Sequence, residues 1–127
     1  MMDSIAVLDY GSQYTQLIAR RIRELHVYCE IFAWDAPAEK VLALVPRGVI
    51  LSGGPSSAYG ENAPFLAPYL IESGVPILGI CYGMQAMAIA LGGRVIASPS
   101  REYGLAEISV CCENPLLPAL PQTVWMS

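Results

Sequence analysis

Val75-Pro76-Ile77-Leu78-Gly79-Ile80-Cys81-Tyr82-Gly83-Met84-Gln85 is an apolar run that halts at a glycine, passes one cysteine and resumes as an apolar stretch. The first half reads as a buried strand and the second as the opening of a helix, with a joint too short for anything but a sharp turn. In a strand that feeds straight into a helix through Gly79-Ile80-Cys81-Tyr82-Gly83, the central residue stands at the corner. Its backbone is strained and the flanking chain passes close by, so a bulky residue at position 79 or 83 would crowd it. Cys81 is therefore placed as a nucleophile. A cysteine nucleophile normally needs a histidine beside it, and the single histidine of the chain is His26.

Outward from this elbow the chain alternates strand-like and helix-like segments. Strands are expected at 4–10, 27–34, 48–53 and 75–79, with helices near 13–25, 38–45 and 65–73 between them and a further helix over 84–91. In the first helix Tyr14, Ile18, Ile22 and Leu25 form the expected core stripe, while Arg20, Arg21 and Arg23 fall mostly on solvated faces. The helix after the elbow is apolar on every side and is expected to lie buried in the centre of a domain. Gly92-Gly93 stops it, and further strands are expected at 94–97, 104–112 and 123–127, the last two separated by a proline-rich loop. Alternation of this kind points to an α/β fold, a doubly wound, mostly parallel sheet with helices on both faces. Ligands of such folds bind at the carboxyl ends of the strands. Three strand ends carry unusual chemistry: Asp9-Tyr10-Gly11-Ser12-Gln13, Ser52-Gly53-Gly54-Pro55 and the cysteine elbow. They are expected to converge on one sheet edge.

Composition narrows the function. The 127 residues suit one domain, and 54% hydrophobic content gives ample material for a core. Seven basic against eleven acidic residues leave a net charge of -4, so no basic stripe could track a phosphate backbone, and direct nucleic-acid binding is not expected. Neither a membrane-length apolar run nor a secretory signal appears, which makes a cytoplasmic protein with no membrane contact the expectation. Cys29, Cys81, Cys111 and Cys112 have no zinc-type spacing, and no metal site is expected. Cys29, Cys111 and Cys112 read as small apolar thiols in strands.

A thiol at the amino end of a helix faces the positive end of the dipole and unpaired first-turn N–H groups, surroundings that suit a nucleophilic sulfur. If Cys81 attacks a carbonyl carbon, the backbone N–H of Tyr82 is one donor for the developing oxyanion, and Gly54 is placed to supply the second. A Gly53-Gly54 turn lets the backbone approach a ligand, and Pro55 stiffens it. Gln85, one turn beyond the cysteine, can hydrogen-bond a polar substrate. His26 ends a helix that begins at the active edge and rises roughly 20 Å, so it belongs to the opposite edge of the sheet. These residues supply no general base.

Gly79-Ile80-Cys81-Tyr82-Gly83-Met84-Gln85 resembles the nucleophile motif of the class I, triad-type glutamine amidotransferases, and Ser52-Gly53-Gly54-Pro55 resembles their oxyanion loop. Within that family the long stretch from Leu8 to Leu25, Ser100-Arg101-Glu102-Tyr103-Gly104 and Val124-Trp125-Met126-Ser127 resemble the GMP synthase branch. The resemblance implies a flavodoxin-like fold and L-glutamine as substrate. It further implies Cys81 as the catalytic nucleophile, Gly54 and Tyr82 as the oxyanion hole, and Gln85, Gly53 and Pro55 as substrate-binding residues. No cofactor is implied for this domain. ATP and Mg are implied for a synthetase (ATP-pyrophosphatase) domain or subunit, the expected partner, which uses the ammonia to convert XMP to GMP. The family's His and Glu lie in a later His-Pro-Glu segment, so residues 1–127 are expected to form the N-terminal two thirds of an amidotransferase domain, with little glutaminase activity alone. Two other readings remain open. One is a non-catalytic amidotransferase-like binding module, and the other a cysteine hydrolase or redox protein with a similar elbow.

Overall fold

The computed structural model describes residues 3–54, 64–95, 106–109 and 123–126. Residues 1–96 form one compact unit and residues 97–127 a second. In the first, four strands, β1 (Ser4–Asp9), β2 (Tyr28–Ala33), β3 (Gly48–Leu51) and β4 (Ile77–Gly79), make a fully parallel sheet in the order β2-β1-β3-β4. The helices between them are α1 (Thr15–Glu24), α2 (Ala38–Leu42) and α3 (Pro68–Glu72), and α4 (Tyr82–Ala90) follows β4. This order is the start of the flavodoxin-like winding, with its topological switch between β1 and β3.

Both faces of the central strands β1 and β3 are covered, which is why they are apolar without alternation, whereas β4, expected to be buried, is only half-buried, with Leu78 40% exposed. Ala6, Leu8, Val49 and Leu51 point to one side, where Val41, Leu70, Tyr82 and Ala86 of α2, α3 and α4 pack on them. Val7 and Cys29 point to the other, against Ala19 of α1. The Cys29 thiol is buried and donates to the Ala19 carbonyl at 3.4 Å, an apolar thiol as expected.

Three further expectations need correction. The buried positions of α1 are Thr15 and Ala19, with Ile18 and Ile22 half-buried beside them, whereas Tyr14 and Leu25 are 59% and 76% exposed. Small residues sit nearest the strands because the helix axis lies close to the sheet, and the bulkier ends of the predicted stripe lie beyond it. Helix α4 is not buried all round. Tyr82, Gly83 and Ala86 are buried on its sheet side, but Met84 and Leu91 are 58% and 66% exposed. Within the first unit it packs mainly on β3 and β4, the side that carries its buried residues. Arg94 and Val95, expected to open a strand, are irregular. The second unit holds β5 (Ala106–Ser109) paired antiparallel with β6 (Thr123–Met126). Cys111 and Cys112 lie outside the described residues.

Candidate active site

The ends of β1, β3 and β4 open on one cleft of about 340 Å³, lined by Gly11, Ser12, Gln13, Tyr14, Gly53, Gly54 and Cys81. The three strand ends converge as the sequence predicts, beside the switch point where ligands of this architecture bind.

Cys81 stands immediately before α4 with φ 52° and ψ −112°, a left-handed conformation that costs an L-residue on the order of 1–3 kcal/mol. Its thiol is exposed to the cleft. The corner is held from both sides. Before it, the Ile80 N–H donates to the Leu51 carbonyl at 2.9 Å; after it, the Gly83 N–H donates to the Ile80 carbonyl at 2.9 Å and the Met84 N–H to the Cys81 carbonyl at 3.1 Å. The turn is tight enough that a methyl group at Gly79 would lie 2.7 Å from the Met84 nitrogen, and one at Gly83 would lie 2.5 Å from the Leu51 carbonyl oxygen. Neither position admits a side chain without moving backbone. Tyr82 occupies the first position of α4, where an N–H has no acceptor within the helix and is free to serve a ligand.

The second loop approaches from β3. A methyl group at Gly53 would stand 3.0 Å from Cys81 Cβ and 3.9 Å from its sulfur, and one at Gly54 would collide with the Tyr10 carbonyl. Gly53 therefore lies against Cys81 itself and Gly54 against the β1 end. Gln85 is half-buried, its N–H bound to the Cys81 carbonyl at 3.3 Å, and it does not line the cleft. Pro55 lies outside the described residues. His26 is exposed at φ 62° after α1, its N–H bound to the Arg23 carbonyl at 2.9 Å. It leads into β2, whose first residue pairs with Ser4 at the start of β1, so it occupies the edge opposite the cleft, as its helix length predicts.

Several residues of the site carry no role in the sequence analysis. Ser52, fully buried, accepts from the Tyr10 N–H at 3.2 Å, donates to the Leu8 carbonyl at 3.0 Å and lies 3.0 Å from Thr15 Oγ1. Thr15 in turn donates to Asp9 Oδ1 at 3.1 Å, which also accepts from the Gly11 N–H at 2.7 Å. The network ties the Gly53-Gly54 loop to the β1–α1 turn. The polar residues Asp9, Thr15 and Ser52 within otherwise apolar segments were its only sequence signal.

An aromatic cluster backs the cleft. The Tyr10 ring lies 5.5 Å from that of Tyr82 and 6.1 Å from that of Trp34, and Phe65 meets Trp34 edge-on at 5.3 Å. The Tyr10 hydroxyl donates to the Phe65 carbonyl at 3.1 Å, and the Tyr82 hydroxyl to that of Pro64. Burial, with smaller contributions from Tyr82 and Tyr69, pushes the Tyr10 phenol up to about 12, and burial raises Tyr69 and Tyr82 as well. All three stay neutral through any physiological range, and Tyr10 and Tyr82 serve as donors.

The site is thus a cysteine at a positive-φ corner between a strand and a helix, facing a Gly-Gly turn on a parallel sheet, and the chain belongs to the glutamine amidotransferase class-I family, whose model matches residues 6–126. Its relatives narrow the branch. It is 52% identical over 127 residues to GMP synthase [glutamine-hydrolyzing] of Thermomicrobium roseum, covering 98% of this chain and 24% of that one. It is also 52% identical over 120 residues to the enzyme of the same name from Alteromonas mediterranea, covering 94% and 23%. Among solved structures, a candidate GMP synthase subunit from Thermoplasma acidophilum superposes with a TM-score of 0.80 at 29% identity, covering 98% of this chain and 63% of that one. The chain thus spans about a quarter of the length of the curated relatives it matches.

Proposed function

We propose that this chain is the front of the glutamine-hydrolysing part of a GMP synthase. The observation that carries the reading is Cys81 at its strained corner with Gly53 packed directly against it. The sulfur of Cys81 adds to the side-chain amide carbon of glutamine, and the backbone N–H groups of Gly54 and Tyr82 receive the resulting oxyanion. Collapse breaks the C–N bond, and the departing nitrogen takes a proton and leaves as ammonia. Water then cleaves the γ-glutamyl thioester to glutamate and restores the thiol. Gly53 keeps the space in front of the sulfur clear.

The proton relay this cycle needs does not come from His26, at the opposite edge. It is assigned to a His-Glu pair outside these 127 residues, and the ammonia to a synthetase domain or subunit that aminates XMP with ATP and Mg. The setting is proposed as cytoplasmic; no helix among the described residues is long and apolar enough to cross a membrane.

The test is glutamine-dependent GMP formation by the complete natural polypeptide or complex carrying this sequence. Cys81→Ala should abolish ammonia release from glutamine, while an ammonium salt still serves as nitrogen source. Glutamine hydrolysis surviving in Cys81→Ala would overturn the assignment.

A further inference from the structure

Two donors must be held at a fixed separation for an oxyanion hole to work, yet Gly54 lies on the loop that leaves β3, and Tyr82, 28 positions later in sequence, follows the loop that leaves β4 as the first residue of α4. One residue touches both loops. The Tyr10 carbonyl occupies the space in which a Gly54 side chain would stand, and its N–H is bound to Ser52, two residues before Gly54. Its ring packs on the ring of Tyr82 at 5.5 Å with a 39° tilt. The two phenols then donate to consecutive carbonyls, Tyr10 to Phe65 and Tyr82 to Pro64. Both side chains are buried, with 3% and 2% of their surface exposed, so neither pose is optional.

We propose that Tyr10 is a positioning residue for the oxyanion hole, its backbone locating Gly54 and its side chain, through Tyr82 and the Pro64–Phe65 carbonyls, locating the Tyr82 N–H. This rests on the functional reading given above. The physical need comes from Cys81: a residue held at φ 52° relaxes unless its surroundings over-determine it, and any relaxation there turns the next peptide N–H, the donor itself. Gly83 against Leu51 restrains the helix side of the corner. The Tyr82 ring, wedged against Tyr10, restrains the cleft side. Misplacement of a catalytic group by 1 Å costs about a hundredfold in rate, so partial loosening of one anchor should cost about tenfold.

Tyr10→Phe removes one hydroxyl and keeps the ring, and Phe65 is exposed enough for water to take over its carbonyl, so the fold should persist. Three measurements on the complete natural polypeptide or complex separate the possibilities. The first is kcat and KM for glutamine hydrolysis. The second is inhibition by glutamate γ-semialdehyde, whose carbonyl accepts the Cys81 sulfur while the thiol proton passes to oxygen, giving a tetrahedral hemithioacetal in the same hole. The third is alkylation of Cys81 by iodoacetamide, a displacement at carbon that builds no oxyanion. Tyr10→Phe should lower kcat about tenfold with KM within about twofold, and weaken the aldehyde by a similar factor, while alkylation changes by less than about twofold. Tyr10→Leu, which also removes the ring, should deepen the first two effects. Unchanged kcat and aldehyde inhibition in both variants would overturn the inference, and so would a parallel fall in alkylation, which marks general damage to the corner. A wild-type protein that neither hydrolyses glutamine nor binds the aldehyde would overturn the functional reading instead.

Discussion

Replacing Gly83 by alanine puts two known effects in opposition at the second residue of α4. Alanine favours a helix over glycine by about 1 kcal/mol, so on an exposed helix the change would stabilise. Here the new methyl would lie 2.5 Å from the Leu51 carbonyl oxygen, 2.6 Å from Leu51 Cβ and 2.9 Å from its carbonyl carbon. Leu51 is fully buried in β3, an interior strand paired with β1 and β4 on its two sides, so it has nowhere to retreat. An ordinary carbon–oxygen contact is near 3.3 Å, which means that the amino end of α4 must lift by about 0.8 Å. Overpacking of this kind costs about 1–3 kcal/mol, toward the upper end when the obstacle is backbone, leaving about 1–2 kcal/mol of net destabilisation after the helix gain. In the complete natural polypeptide or complex, the melt of the amidotransferase domain, of which this chain is the front part, should therefore fall by roughly 2–8 °C. The activity loss should be larger than the stability loss suggests. Cys81 and the Tyr82 N–H ride on the lifted end, and displacement near 1 Å is worth about a hundredfold in turnover. The assays are calorimetry or circular dichroism beside ammonia release. A melting point at or above that of the parent, with normal turnover, would refute both the packing argument and the placement of the elbow.

Ser52→Ala removes a hydroxyl with no surface exposure that serves the Tyr10 N–H and the Leu8 carbonyl, so it should cost about 1–3 kcal/mol in a denaturant titration; a loss below about 0.5 kcal/mol would mean that the network contributes nothing. Alkaline pH should probe the aromatic cluster. The Tyr10 phenol titrates near 12 in the fold against about 10 in the unfolded chain, so between those values the unfolded state has lost the proton and the folded state has kept it. The stability from a neutral Tyr10 is thus complete below about pH 10 and is lost as pH climbs toward about 12. Melting temperatures followed over that window should decline less steeply in Tyr10→Phe, and identical slopes would contradict the burial of this phenol.

Much of this molecule follows from local sequence. Strand and helix order was legible because strands covered on both faces, as β1 and β3 are, run continuously apolar and the intervening helices repeat at a different period. The elbow was legible because a strand cannot turn into a helix within five residues unless glycines flank the corner, and 79 and 83 are glycines. The position of His26 followed from helix length alone. Packing direction was less legible. Tyr14 and Leu25 fit the helical spacing of a core stripe, but helix rotation is set by how closely the axis approaches the sheet, and Thr15 and Ala19 permit the closest approach. The all-apolar α4 gave no rotation signal, and its exposed Met84 and Leu91 show that composition fixes what a helix tolerates rather than what covers it.

The sequence by itself determined that one cysteine stands at a strained corner, that a Gly-Gly loop ends a neighbouring strand, and that no histidine of this chain accompanies them. These depend on short-range chemistry: glycine's missing side chain, the run of apolar residues, the count of a residue type. Only the tertiary structure decided that Gly53 lies against the sulfur, that Ser52 and Thr15 lock the loop to β1, and that Tyr10 touches both candidate donors. Those contacts join positions from 28 to 72 residues apart, and their distances are fixed by the register of β1 with β3 and of β3 with β4, which no local pattern encodes.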